Sequence, residues 1–516
     1  MTDPISPPTL MPGRGRLPPA LRLFLAFLAG AAGPLSFAPF AWAYLAPVSL
    51  AVLLALWHRC TPREAFRVGF VYGLGFFAVG VSWVYISVHE YGNAGAALAV
   101  GLTLALIAYM ALYPALIGAV LRWLAPGGGV AATLMLFPAL WVAFEWVRSW
   151  LLTGFPWLSV GYSTVDLPLV GYAPLVGVFG LGFLVTATAG GLWTVVRRPA
   201  IGASLMLVVA GAWAGGVALK AVQWSSPVGE PLTVALVQGN IAQEQKWSAD
   251  QRARTLVKYR EMTWQVLGTD LIVWPEAALP VPYEQIQAYL AVVEAELADA
   301  GSHLVLGLLR YDPVPAQYLN SLVALSDSRH FYDKRHLVPF GEFFPVPDFV
   351  RRQMQVLNMP YTDLASGDKY QAPLPAAGAL FGPSICYEAV FGHEVMRALP
   401  AAEILINVSN DAWFGDSLAP HQHLQIARMR AIEAARPLLR ATNTGITAII
   451  DAQGQVVSRV PQFSDAILTG EVLRYRGQTP YSRWTDWPAV GLSILILLVA
   501  AALRVRAGPS RPGRSV

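Results

Sequence analysis

Long apolar segments at both ends of the chain limit what this sequence can fold into. Eight of them have the length and composition of a bilayer-crossing helix: residues 19–35, 41–57, 66–88, 96–121, 130–151, 175–196, 201–219 and 487–503. Only 13% of the 516 residues are charged and 55% are hydrophobic, whereas about 25% are charged in an average soluble domain. The sequence therefore predicts a polytopic α-helical membrane protein with about eight spans.

The residues between the seventh and the eighth apolar segments have the composition of a soluble domain. Charged residues, turns and alternating apolar positions return there, over a length sufficient for a separate hydrophobic core. We therefore predict a membrane domain at 1–222, a soluble domain at 223–486, and a last span with a basic tail at 487–516.

The arginines predict how the spans are oriented. If the N-terminus is cytoplasmic, the inside segments hold arginines 14, 16, 22, 59, 63, 67, 122, 197, 198, 504, 506, 511 and 514. The outside loops then hold little beyond Arg148 and Lys220, as the positive-inside rule expects. This pattern predicts that both termini are cytoplasmic and that the soluble domain is extracytoplasmic. Because the basic residues lie in short loops and tails, the net charge of +4 does not indicate nucleic-acid binding.

The chain has two cysteines, and the predicted topology separates them. Cys60 falls in an inside loop and Cys386 in the outside domain, so they cannot form a disulfide with each other. Cys386 is thus an unpaired thiol in a compartment that favours disulfides. From the residue alone, a buried structural cysteine and a reactive thiol are both open interpretations.

The soluble domain reads as strands alternating with helices, which favours a layered α/β fold. Charged residues follow two of its predicted strands: Glu276 ends "LIVWPE", and Glu388 follows Cys386 in "GPSICYE". A third segment, "YDKRHLVPFGE", contains Lys334 and Glu342. Strand ends are where α/β folds collect chemistry. His421 and His423 face different sides of a predicted helix, so we predict no metal site.

These three motifs, in this order, resemble the Glu-Lys-Cys triad of the nitrilase (carbon–nitrogen hydrolase) superfamily. That resemblance implies an α-β-β-α sandwich. The arrangement of spans resembles more narrowly the bacterial apolipoprotein N-acyltransferase family. Three further segments share this resemblance, which covers nearly the whole chain: "VQGNIAQEQKW", "FEWVRSWLLTGFPWLSVGYS" and the stretch from "NVSNDAWFGD" to "ATNTGIT".

The family resemblance implies a reaction, its partners and a location. An acyl chain would pass from a membrane phospholipid, phosphatidylethanolamine in our expectation, to the α-amino group of an N-terminal diacylglyceryl-cysteine in an apolipoprotein. No cofactor and no nucleic acid are expected. The enzyme would span the bacterial inner membrane, with the catalytic domain in the periplasm.

The resemblance also implies roles for the triad. Cys386 would form a thioester, Glu276 would act as the base, and Lys334, with the Tyr387 backbone N–H, would face the charge on the carbonyl oxygen. A base at Glu276 would gain from an apolar pocket that raises its pKa, and Trp274, Pro275 and Leu279 are compatible with one. The alternatives are a surface glutamate and a solvated lysine.

Further residues carry expected supporting roles. Glu342 would position Lys334, while Tyr387, Glu388 and Trp247 match residues the family needs near the nucleophile; packing aromatics and a local ion pair are the alternatives. Phe344 belongs to an apolar stretch, 341–361, interpreted either as an arm that touches lipid or as a packing loop. Glu145 and Arg148 lie three residues apart in a span, and they would either bind a phospholipid head group or form a structural pair.

Two other functions stay open at this stage. A membrane-tethered nitrilase-type amidase or hydrolase would use the same triad and pass the acyl group to water. A transporter or receptor with an inert outer domain is disfavoured, because the spans lack the paired interrupted helices that transporters favour.

Overall fold

The structure is a computed structural model. It describes residues 17–92, 94–246, 248–314, 316–326, 328–343 and 363–506, and the side chains of all of these except 244, 245 and 249.

The N-terminal part of the chain consists of apolar helices joined by turns. In chain order they are α1 (Pro19–Ala32), α2 (Leu45–Trp57), α3 (Pro62–Gly80), α4 (Val84–Ile86), α5 (Ala96–Leu124), α6 (Phe137–Arg148), α7 (Ala173–Arg197) and α8 (Pro199–Lys220). A last apolar helix, α15 (Trp487–Arg506), follows the soluble domain. It packs against α6 and α7, so both ends of the sequence contribute to one helical bundle.

Fewer helices are long enough to cross a membrane than the eight spans that the sequence predicts. Within the described residues, five helical segments are long and apolar enough, and the pair Pro62–Gly80 with Val84–Tyr91, bent by 64°, would add a sixth. The predicted segments 41–57 and 130–151 contain α-helices of only 13 and 12 residues. The rest of their apolar residues form turns and a π-helical stretch, and hydropathy does not distinguish an apolar turn from a helix.

In its described residues, the soluble domain contains two β-sheets and six further α-helices. Its strands are β1 (Ser225–Gln238), β2 (Leu271–Val273), β3 (Leu279–Pro282), β4 (His303–Asp312), β5 (Gln317–Leu325), β6 (Arg329–Asp333), β7 (Leu364–Ala365), β8 (Leu374–Ala376), β9 (Ala379–Ile385), β10 (Ile404–Ser409), β11 (Leu438–Thr442), β12 (Ala448–Ile450), β13 (Val456–Arg459) and β14 (Ala466–Gly477). The helices are α9 (Gln243–Lys246), α10 (Ala249–Trp264), α11 (Gln287–Ala300), α12 (Gly392–Val395), α13 (Ala419–Ala434) and α14 (Pro480–Trp484).

The two sheets stack face to face between helices. One sheet has the order β14-β1-β2-β4-β5-β6, with β3 and β7 beside it, and the other has the order β13-β12-β11-β10-β9-β8. Their inner faces share one buried cluster, which joins Leu236 and Val305 of the first sheet to Phe381 and Ile406 of the second. Helices α10 and α11 cover the outer face of the first sheet, and α13 covers the second. The layers are therefore α-β-β-α, as the family resemblance implies.

Helix α13 joins the sandwich to the membrane helices. Its Gln422 donates to the Gly80 carbonyl at 3.2 Å and accepts from Trp157 Nε1 at 2.7 Å. Its Gln425 donates to the Tyr162 carbonyl at 3.1 Å. Since one side of α13 packs on a sheet and the other on membrane helices, the two parts of the protein share a core.

Candidate active site

Glu276 follows the short parallel strand β2 and lies at the centre of a polar cluster. Its side chain is buried, with 6% of the residue exposed. Oε1 accepts from Lys334 Nζ at 3.1 Å and from Asn320 Nδ2 at 2.8 Å, while Oε2 accepts from the Asn410 backbone N–H at 2.8 Å. Three donors on one carboxylate favour its ionised form.

The pKa of Glu276 differs from the sequence expectation. Burial alone would raise this pKa, as predicted, but the Lys334 ammonium and the donated hydrogen bonds outweigh burial and lower it. The expectation of a raised pKa was therefore wrong, because the sequence does not reveal which cations and N–H groups meet the carboxylate. Glu276 is therefore held in its ionised form.

Lys334 lies directly after β6 and is 1% exposed. Besides Glu276, its ammonium donates to Glu342 Oε1 at 2.8 Å. Burial would lower the pKa of Lys334, but the two carboxylates and the neighbouring thiol raise it well above the ordinary value. The structure therefore rejects the alternative of a solvated surface lysine, because Lys334 is a buried and permanent cation.

Glu342 reaches this cluster from the turn that follows Lys334. Its Oε2 accepts from the Val338 backbone N–H at 2.8 Å, which orients the carboxylate. Its Oε1 also accepts from Asn320 Nδ2 at 3.0 Å. Lys334 and Asn320 thus each bridge the same two carboxylates.

Cys386 lies at the end of β9, where the chain turns into a short 3₁₀ helix (Cys386–Val390). Its φ of +52° is in the left-handed region, which non-glycine residues rarely occupy. Burial and the Glu276 carboxylate raise the pKa of the thiol, against an opposing effect of Lys334. The nucleophile candidate is therefore a protonated thiol within electrostatic range of both Glu276 and Lys334.

Glu388 is fully buried and connects the lysine segment to the cysteine turn. It accepts from the backbone N–H groups of Ile385 and Arg335, each at 2.7 Å, and from Tyr332 Oη at 3.0 Å. Its ion pair with Arg335 is longer, at 3.8 Å. The main contacts of Glu388 thus hold together the loops that carry Lys334 and Cys386.

Tyr387 connects the same turn to the membrane domain. Its hydroxyl donates to the Gly154 carbonyl at 3.0 Å, and its ring packs on Phe391 and His336. Trp247 and Phe344, which the sequence also singled out, lie outside the described residues, as does most of the apolar stretch 341–361.

Sequence reasoning missed three groups near the cluster. Asn320, with Ser321, interrupts the apolar run at 319–325, which was the available signal. Lys246 is buried, and its Nζ donates to the Glu276 carbonyl at 3.4 Å. His423 was considered only as a metal ligand, yet its Nε2 lies 3.1 Å from the Cys386 carbonyl and its Nδ1 lies 3.0 Å from Asp411 Oδ1.

Glu145 and Arg148 form a buried pair in α6, with 3.7 Å between charged atoms. Arg148 also donates to the carbonyls of Trp157 and Phe155 and to Ser159 Oγ. Glu145 accepts from the Val160 N–H at 2.9 Å. These contacts favour the structural alternative, in which the pair holds the loop at 155–160 against α6.

The arrangement can perform acyl chemistry. A thiol, an ionised carboxylate and a buried ammonium are the groups that nucleophilic attack on a carbonyl requires: a nucleophile, a proton acceptor and a stabiliser of the oxyanion. The family model for carbon–nitrogen hydrolases matches residues 233–481, which contain these groups and, apart from the first residues of β1, both sheets.

Comparison with known proteins narrows the class of protein to which the chain belongs. The model for the apolipoprotein N-acyltransferase N-terminal domain matches residues 29–191. The apolipoprotein N-acyltransferase of Methylococcus capsulatus is 44% identical to the chain, over 95% of the chain and 98% of the relative. That of Azotobacter vinelandii is 42% identical, over 95% of the chain and 97% of the relative. That of Coxiella burnetii is 40% identical over 92% of the chain and 99% of the relative. The chain belongs to the apolipoprotein N-acyltransferase family.

Proposed function

We propose that this protein transfers an acyl chain from a membrane phospholipid, phosphatidylethanolamine in particular, to the α-amino group of diacylglyceryl-cysteine at the N-terminus of apolipoproteins. The acyl group would pass through a thioester on Cys386. The observation that carries the proposal is the buried cluster of Glu276, Lys334 and Glu342 beside a cysteine held at positive φ. Family membership supports the substrates.

In the first half-reaction, Cys386 Sγ attacks the phospholipid ester carbonyl. Because the thiol pKa is raised and the Glu276 pKa is lowered, no thiolate accumulates beforehand. The proton instead moves to Glu276 as the S–C bond forms. When the ester C–O bond breaks, Glu276 returns that proton to the leaving glycerol oxygen, and a lysophospholipid departs.

In the second half-reaction, the lipoprotein amine attacks the thioester. The N–C bond forms, the S–C bond breaks, and Glu276 carries a proton from the amine to the departing sulfur. The enzyme returns to its starting state, so the kinetics are ping-pong. The buried Lys334 ammonium and the Tyr387 N–H would stabilise the oxyanion in both halves, and loss of one such donor typically costs about 2.7–4 kcal/mol in the barrier.

The catalytic domain would work at the membrane surface. Lipid substrates of both half-reactions are anchored in the bilayer, and Tyr387 next to the nucleophile contacts the membrane domain directly. We place the enzyme in the bacterial inner membrane, with the catalytic domain in the periplasm and both termini in the cytoplasm. The arginine distribution supports this orientation.

The test is intact mass of the purified protein after incubation with phosphatidylethanolamine and no acceptor. Wild type should gain one acyl chain that hydroxylamine removes, and Cys386→Ala should gain none. Cys60→Ala is the matched control, since it removes the other cysteine, and it should behave as wild type.

The acceptor distinguishes acyl transfer from hydrolysis. A diacylated lipopeptide with a free α-amine should discharge the thioester and gain the acyl chain, whereas its N-acetylated form should not. Rapid discharge to free fatty acid with both peptides would instead establish the hydrolase. Activity that survives Cys386→Ala would overturn the thioester route.

A further inference from the structure

A basic cavity lies at the end of the membrane domain that faces away from the catalytic domain. It has a volume of about 100 Å³ and lies where α2, α5 and α7 end, with the loop at 125–129 beside it. Arg122, Arg197 and Arg198 contribute its charge, and His58 lines it as a neutral imidazole, because burial and the neighbouring arginines lower the His58 pKa. No carboxylate lines it in the part of the chain that the structure describes, so its positive charge has no local counter-ion.

The course of the helices places this cavity on the opposite side of the membrane domain. The chain just before α5 meets the catalytic domain, where Ser87 Oγ donates to the Trp413 carbonyl at 2.8 Å. The first turns of α7 also meet it, through the Val178 N–H and Glu433. Both helices end at the cavity. Helix α5 has 29 residues and α7 runs from Val178 to Arg197 after its break, so the cavity lies roughly 30–40 Å further on.

The three arginines of the cavity have different surroundings. Arg122 is half-buried and donates to the carbonyls of Cys60, Ala125 and Pro126, so it fixes the adjoining loop. Arg197 and Arg198 are exposed, and no acceptor among the described residues lies within hydrogen-bonding distance of either. His58 Nε2 is buried without a partner in the described chain. The cavity therefore presents unused donors together with uncompensated charge.

Exposed apolar side chains follow or precede two of these arginines in the sequence. Trp123, next to Arg122, is 55% exposed, and Val196, next to Arg197, is 73% exposed. At the end of a membrane helix such side chains face acyl chains or the bilayer interface. A free anion would use the charge of the cavity alone, whereas a phospholipid would use both the charge and the apolar rim.

We propose that this cavity binds the phosphodiester head group of an anionic phospholipid from the leaflet opposite the catalytic domain. Arg197 and Arg198 would contact the phosphate, and Trp123 and Val196 would contact the acyl chains. A zwitterionic lipid would bring an ammonium group into a site that already has an excess of positive charge. Basic pockets between membrane helices recognise anionic head groups in this way.

The test compares lipid binding to the full-length protein in detergent by native mass spectrometry. Wild type should bind one phosphatidylglycerol molecule at the cavity. The double variant Arg197→Gln/Arg198→Gln should bind that molecule with an affinity lower by roughly tenfold or more. Arg504→Gln/Arg506→Gln is the matched control, since it removes two arginines from the end of α15 without touching the cavity, and it should bind as wild type does. The catalytic site is common to all three proteins, so it does not contribute to the difference.

Two further ligands identify the source of the phosphate group. Phosphatidylcholine should bind the cavity more weakly than phosphatidylglycerol, and inorganic phosphate should compete poorly. Equal affinity for inorganic phosphate would overturn the lipid assignment, and an equal loss in the control variant would overturn the site itself. Acyl transfer by the double variant should match wild type, which verifies its folding and separates this proposal from the catalytic one.

Discussion

At the scale of single residues, Asn320 holds together the two carboxylates that flank Lys334. One amide nitrogen donates to Glu276 Oε1 and to Glu342 Oε1. Without the Asn320 amide, the Glu276 and Glu342 carboxylates would share only the Lys334 ammonium as a common hydrogen-bond donor. This makes Asn320 a positioning residue for Glu276 and Glu342.

Asn320→Ala should slow thioester formation roughly 10- to 100-fold, because a hydrogen bond to a charged group is worth about 1.5–3 kcal/mol. Asn320→Asp should be worse, since it adds a third carboxylate to the cluster. The measurement is the rate of the initial burst in which each enzyme molecule releases lysophospholipid. Gln317→Ala, at an exposed position of the same strand, is the control. An Asn320→Ala burst as fast as that of wild type would contradict the assigned role.

The buried charge of Lys246 makes the free energy of unfolding depend on pH. Burial lowers its pKa from the ordinary 10.5 to about 8, although Glu276 opposes the shift. The unfolded chain then binds more protons than the folded one between pH 8 and 10.5, so the free energy of unfolding rises with pH across that window. Below pH 8 the full cost of burying the charge is present, about 3 kcal/mol.

Lys246→Met should remove this pH dependence. The thermal midpoint of wild type should rise between pH 7.5 and 9.5 relative to that of the variant, measured in one detergent. Lys258→Met is the control, because the Lys258 side chain is 30% exposed and pairs with Asp465 at the surface. Parallel pH curves for wild type and Lys246→Met would show that Lys246 is not buried as a charge.

At the scale of elements, α7 depends on a break near its start. Gly177 has a φ of +61° inside the helix, and a Cβ there would lie 2.1 Å from the ring of Tyr481. The Val178 N–H next to this break donates to Glu433 Oε1 of α13 at 3.0 Å. The break therefore lets a membrane helix and a catalytic-domain helix pack closely.

Gly177→Ala should destabilise the protein by roughly 2–4 kcal/mol, from backbone strain and from the clash with Tyr481. A lower thermal midpoint and a broadened size-exclusion peak are the expected readouts. Gly211→Ala in α8 is the matched control, since a Cβ there meets nothing within 4 Å. That change should be neutral or stabilising by about 0.5–1 kcal/mol. Equal effects of the two substitutions would contradict this interpretation of α7.

At the scale of the whole molecule, the membrane domain is part of the folding unit of the catalytic domain. Met429 and Ile432 of α13 belong to the same buried cluster as the membrane helices, while Ala427 and Ala431 pack on the second sheet. Removal of the membrane helices would expose one face of α13 together with its buried glutamines. Soluble domains rarely tolerate an apolar patch of that kind.

A fragment of residues 223–486 should therefore aggregate or bind detergent, while the full-length protein in detergent should unfold in one cooperative transition. Light scattering of the fragment and calorimetry of the full chain are the measurements. A monodisperse fragment with native near-UV circular dichroism in plain buffer would refute the shared core.

Three helices of the catalytic domain are predictable from the sequence. Helical patterns at 249–268, 285–301 and 421–435 correspond to Ala249–Trp264, Gln287–Ala300 and Ala419–Ala434. Strand β11 has no such local signal, because its Arg440 and Thr442 look polar in sequence and are paired only in the fold, with Arg440 on Asp411 and Thr442 near Gln238. Polar residues buried by long-range partners carry no local signal.

The sequence by itself determined the membrane character of the chain, its alternating α/β region and the types of residue at the site. These properties depend on composition and on local periodicity, which a window of residues contains. Only the tertiary structure decided the number of long helices, the break in α7 and the electrostatics of the cluster. The pKa of Glu276 depends on Lys334, 58 positions along the chain, and on the Asn410 N–H, 134 positions away. Electrostatic interactions act over ångströms in space, and the sequence does not order residues by that distance.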